Sequence, residues 1–189
     1  MRIVGMDVKK IQETTISNLE SIIEGVRNIE FVEEVSYSFN TNEIQGERFV
    51  ESLLTRIQKQ IDHARFGYIY TFFLPSNFHM SSVYDNYEAV KNSRKAGRAY
   101  ARLNKTNRES YCLYVGSSND LIPRIRQHLG FGPKGTFSMQ LCYWCENANL
   151  DVTLKIYAFN NSIDTKAFQA FEDGVWDSLR PMLGRQGRK

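Results

Sequence analysis

The chain has 189 residues, 42% of them hydrophobic and 13% aromatic, enough apolar side chain for a packed core without disulfides. No run approaches the roughly 18 consecutive apolar residues of a membrane span, and the N-terminus turns polar too soon for a secretory signal, so a soluble, cytoplasmic chain with no membrane partner is expected. The formal charge of +3 is unevenly spread: residues 1–60 hold 10 acids and 7 bases, residues 61–189 hold 11 acids and 17 bases, and a basic C-terminal two thirds suits a polyanionic partner.

In chain order, Ile11, Ile16, Leu19, Ile22, Ile23 and Val26 keep one apolar face and predict a helix over 9–29. Residues 29–37 have the pattern of a strand. Phe49, Leu53, Leu54, Ile57 and Ile61 predict a second helix over 47–64. Residues 1–62 are therefore expected to form a mostly helical lead-in. The aromatic-rich run FGYIYTFFLP (66–75) reads as a strand ended by Pro75. A polar loop over 76–85 and a helix, or a helix plus loop, over 86–108 follow. Further strands are expected at 110–115 and 150–159, and helices at 120–129, 138–148 and 165–179. The fold class expected is mixed α/β: a small three-stranded antiparallel sheet flanked by helices. Its domain spans 63–189 and is interrupted by a basic insertion at about 76–109.

The cysteines are Cys112, Cys142 and Cys145, an odd count that fits a reducing compartment. Cys142 and Cys145 form a CxxC, but a zinc site needs two more ligands. His63, His79 and His128 are the only histidines, so the pair is expected to pack as small apolar residues beside Trp144.

Tyr111–Gly130, YCLYVGSSNDLIPRIRQHLG, hands a buried strand to a cationic helix through a Gly-Ser turn, a common way to build a phosphate site at a helix start. Arg124 and His128 fall one helical turn apart and so share a face. Together with Tyr68-Ile69-Tyr70, Tyr114-Val115-Gly116 and Glu172, the last followed by Trp176, Leu179 and Pro181, this constellation resembles the GIY-YIG nuclease family. Tyr68 stands where the family has Gly, and Gly184 where it often has Asn. The resemblance covers about 66–75 and 110–187. It implies a catalytic group of Tyr70, Tyr114, Arg124, His128 and Glu172. Glu172 would hold one Mg²⁺ or Mn²⁺ with most of its shell as water. Arg124 would clamp the phosphate. Tyr70 would help to deprotonate the attacking water, with His128 or metal-bound water sharing the proton work; whether His128 is an acid, a base or a hydrogen-bonding prop stays open.

The insertion places Lys91, Arg94, Lys95, Arg98, Arg102 and Lys105 at steps of 3 and 4 with one step of 1. On a helix they form a single basic stripe able to track phosphates. The resemblance implies Mg²⁺-dependent endonucleolytic hydrolysis of DNA, with a restriction-type enzyme as one form of it and a homodimer as one way to cut both strands. The alternatives are a catalytically lapsed nucleic-acid-binding module of the same fold and an RNA-cleaving relative.

Overall fold

The computed structural model describes residues 6–61, 66–76, 78–145, 148–160 and 164–187, with the side chain of Phe66 left aside. His63 and the expected boundary at 62/63 lie outside the described residues. Ten elements follow in order: α1 (Val8–Arg27), β1 (Phe31–Asn40), α2 (Glu47–Gln60), β2 (Phe66–Phe73), α3 (Met80–Asn92), β3 (Cys112–Ser118), α4 (Leu121–Leu129), α5 (Leu141–Trp144), β4 (Asp151–Asn160) and α6 (Thr165–Leu179).

The class is mixed α and β, but the sheet has four antiparallel strands, in the order β1-β4-β2-β3. The count of three left out β1, whose alternation buries Val35, Tyr37 and Phe39 on one face and which pairs with β4 from Phe31↔Phe159 to Asn40↔Asp151. The N-terminal segment thus supplies an edge strand as well as two helices.

Side-chain alternation sorts the two faces of the sheet. Tyr68, Tyr70 and Phe72 of β2, with Val152, Leu154 and Ile156 of β4, join the larger core that α2, α3, α4 and α5 cover. Ile69, Val115 and Phe159 point the other way, beneath Phe168, Phe171 and Val175 of α6. Asp164 caps α6, accepting hydrogen bonds from the amides of Lys166 and Ala167. This satisfies donors that the helix start cannot pair internally. Arg126 of α4 ion-pairs with Glu47 and Glu51 of α2. Pro123 sits in the first turn of α4, where its missing N–H costs nothing. CxxC behaves as small packing residues: Cys145 is buried and Cys142 half-buried.

Of the helix, or helix plus loop, expected over 86–108, the structure has the second. α3 begins earlier, at Met80, and ends at Asn92. Arg94 and Ala96 then adopt left-handed backbone, φ 50° and 57°, which no helix continues through. Residues 98–104 run extended between two loops. Ala99 N–H donates to Lys134 O and Ala101 N–H to Ser138 O, both at 2.8 Å. On the other side Asn104 N–H reaches Met182 O at 2.9 Å, and Gly184 N–H reaches Arg102 O at 2.8 Å. A single basic stripe therefore does not exist. The cations are spread over a helix end, two turns and an extended segment.

Candidate active site

Tyr70 and Tyr114 stand on neighbouring strands with their rings stacked, centroids 6.2 Å apart and planes 9° apart. Gly116, opposite Tyr70 in the ladder, permits this. A Cβ there would lie 2.5 Å from the Tyr70 hydroxyl oxygen and 2.8 Å from the Tyr114 ring, distances no side chain tolerates.

α4 lays Arg124 and His128 against the pair. Arg124 Nε donates to Tyr70 Oη at 3.2 Å, Nη2 to Tyr114 Oη at 3.4 Å and Nη1 to Gln127 Oε1 at 2.8 Å. His128 is 0% exposed. Its Nδ1 accepts from the Met139 amide at 3.3 Å, so the ring proton sits on Nε2, 3.1 Å from Tyr70 Oη. Burial, helped by the charge of Arg124, pushes the imidazole far below its ordinary pKa. His128 is therefore neutral and donates to Tyr70. Arg124 is the cation beside the phenol.

Two N–H donors thus meet on the Tyr70 oxygen. Burial raises its pKa well above the usual phenol value, with Tyr114 adding and Arg124 opposing. Burial also raises Tyr114, again against Arg124.

α6 supplies Glu172. Ser117 Oγ donates to its Oε2 at 2.7 Å and Gln169 Nε2 at 3.0 Å. Burial is the main cause raising its carboxyl pKa, with Asp173 adding and the Ser117 and Gln169 bonds opposing. The Glu172 charge in turn raises both phenols. All five predicted residues therefore share one electrostatic neighbourhood.

Tyr114 and Arg124 face a cleft of about 270 Å³ lined also by Lys91, Arg102, Arg185 and Gly184, whereas Tyr70, His128 and Glu172 are not among its lining residues. The turn over 117–120 does not line this cleft; its Ser117 donates to Glu172 instead. Lys91 donates to Ala101 O at 2.7 Å. Burial and then the charges of Arg185 and Arg102 push its pKa down, the signature of cations crowded without a counter-anion.

The other cations of the insertion separate. Arg98 is tied inward, donating to Gly132 O at 2.8 Å and Gln140 Oε1 at 3.2 Å, with its guanidinium 4.6 Å over the Tyr143 ring. Arg94 lines a neighbouring cleft with Lys134. Lys95 and Lys105 are exposed and line none of these clefts. Sequence reasoning did not assign Ser117, Gln169 or Arg185. Only Arg185 left a trace, as the residue after Gly184. Gly184 itself, at φ 100°, lies so near Tyr114 that a Cβ would meet its ring at 2.8 Å.

A larger cleft of about 750 Å³ between the other sheet face and α6 is apolar and holds none of the predicted residues. No family model, no curated protein and no solved structure matches the chain.

Proposed function

We propose that the chain is a divalent-metal-dependent endonuclease of GIY-YIG type that hydrolyses DNA phosphodiester bonds. The observation that carries the reading is the joining of Tyr70, Tyr114, Arg124 and His128 by hydrogen bonds, with the Glu172 charge acting on both phenols and with Tyr114 and Arg124 at the wall of a cleft whose charged lining residues are all cations. A phosphodiester in that cleft meets the Arg124 fork and relieves the crowding of Lys91, Arg102 and Arg185.

The donor set fits a hard cation that keeps its waters. Glu172 offers a half-buried carboxylate steadied by Ser117 and Gln169, and no group of three or more His, Cys, Asp or Glu converges among the described residues. Mg²⁺ or Mn²⁺ needs only one or two carboxylates, whereas zinc needs more. When bound there, the ion would lower the pKa of water and balance charge on the leaving oxygen. The chain's own residues do the rest. Arg124 holds the phosphate against Tyr114. Tyr70 orients the attacking water and accepts its proton when ionised, and its two N–H donors favour that form. His128 fixes the ring of Tyr70.

A homodimer is the form in which two such sites cut both strands. Val8, Ile11, Ile16, Leu19 and Ile23 of α1, with Phe31 and Val32, are each about half exposed. Such exposed apolar side chains are what a second copy could cover, a standard interface burying about 800 Å² per partner.

The test is supercoiled plasmid with Mg²⁺ or Mn²⁺, run beside single-stranded RNA. Nicked or linear DNA is expected, with Glu172→Gln and Arg124→Ala each losing at least about 10²-fold in rate. A second reading, a module of this fold that binds nucleic acid without cutting, draws on the burial that keeps Tyr70 protonated. Tight, salt-sensitive binding with no nicking by either metal would favour it. Cleavage confined to the RNA would move the substrate class.

A further inference from the structure

Phe137 is 70% exposed, yet its place is tightly fixed. Its loop is pinned by Ala99 N–H to Lys134 O at 2.8 Å, by Gln140 Nε2 to Thr136 O at 3.2 Å, and by Ser138 Oγ to Gln127 O at 2.8 Å. Ser138 and Met139, which follow it, are fully buried. Single exposed apolar residues are ordinary, so position decides. Phe137 lies on the rim shared by the cleft of Arg124 and the neighbouring cleft of Arg94 and Lys134, about 400 Å³. A third cleft of about 280 Å³ adjoins the other end, sharing Arg102 and Arg185 with the first. The three clefts adjoin through shared cationic lining residues, and Phe137 is the strongly exposed aromatic at the junction of the first two, where Tyr100 is buried. Grooves that pair backbone-tracking cations with aromatic platforms are how proteins hold nucleic-acid strands.

Building on the reading of this site as a nuclease, we propose that Phe137 is a base-stacking residue. It holds the nucleobase next to the phosphate gripped by Arg124, on a strand that runs between Lys134 and Arg185. Charge alone would hold any polyanion in this groove; the aromatic makes it prefer one that carries bases. Phe137 needs no rearrangement to act, because its backbone is already fixed.

The test uses the full chain carrying Glu172→Gln, so that binding is read without cleavage. Fluorescence anisotropy follows a labelled DNA duplex and its single strand over a range of salt, with inorganic polyphosphate as a base-free competitor. Phe137→Ala is expected to weaken DNA binding roughly tenfold or more, with the salt slope and the polyphosphate affinity unchanged. Phe137→Trp is expected to restore binding. Arg185→Ala should instead reduce the slope by about 0.9 per lost phosphate contact on the duplex. If Phe137→Ala binds DNA like its parent while Arg185→Ala loses slope, the stacking role falls and the nuclease reading stands. If the parent binds neither DNA form in a salt-dependent way, both fall.

Discussion

At Tyr70 burial and charge pull in opposite directions. The ring is 0% exposed, which disfavours a phenolate, while Arg124 and His128 both aim N–H groups at its oxygen. Tyr70→Phe should therefore fold but cut at least about 10²-fold more slowly, measured on plasmid. Glu172 shows the same tension in a form that stability can read. Its folded pKa is raised, so the fold binds its proton more tightly than the unfolded chain does. That contribution is present below the unfolded value of about 4.3 and lost as pH rises through the folded value. At neutral pH the charged carboxylate is a burden on the fold, and Glu172→Gln should raise Tm while abolishing cleavage. His128 works in the other direction. Its folded pKa is depressed, so the contribution is present above about 6.5 and lost as pH falls toward the folded value. Urea midpoints measured downward from neutral pH should fall, and His128→Asn should flatten that slope. Because His128 is neutral, no limb near 6.5 is expected in the pH–rate profile of the parent.

At the scale of elements, the insertion shows how the same residue type divides between structure and binding. Arg98 turns Nη1 inward to Gly132 O and Gln140 Oε1, whereas Arg102 is exposed and lines the cleft. Arg98→Ala should cost about 1–3 kcal/mol of stability by leaving buried acceptors unmet, seen as a lower urea midpoint, with DNA salt dependence nearly intact. Arg102→Ala should do the reverse, leaving the midpoint unchanged and lowering the slope. The sequence pattern could not separate the two, because steps of 3 and 4 look helical until Arg94 and Ala96 turn left-handed. Apolar spacing serves well in α6, which runs over the expected Thr165–Leu179. Tyr70, Tyr114, Arg124, His128 and Glu172 were legible only through the resemblance that their motifs carry. Ser117 and Gln169 were not, since what they hold lies 55 and 3 residues away and only the packing of α6 on β3 aims all three together.

For the molecule as a whole, β1 was the hard strand to place. Its own alternation was plain, but its partner lies more than a hundred residues on, and nothing local names that register. Among the described residues no helix is long and apolar enough to cross a membrane; α1 has the length but carries charges throughout and buries none of its side chains. Sedimentation velocity at micromolar concentration should therefore show a dimer that Ile16→Glu with Leu19→Glu dissociates. A monomer at every concentration would count against the pairing. The C-terminal segment has a different consequence. Pro181 O accepts from Asn104 and Asn107, and Met182 and Leu183 donate their amides to Cys112 and Leu113. A ribosome making this chain releases both phenols, the guanidinium and the imidazole well before this latch. A product stalled short of residue 172 lacks the carboxylate, and one stalled short of 185 lacks a wall of the groove.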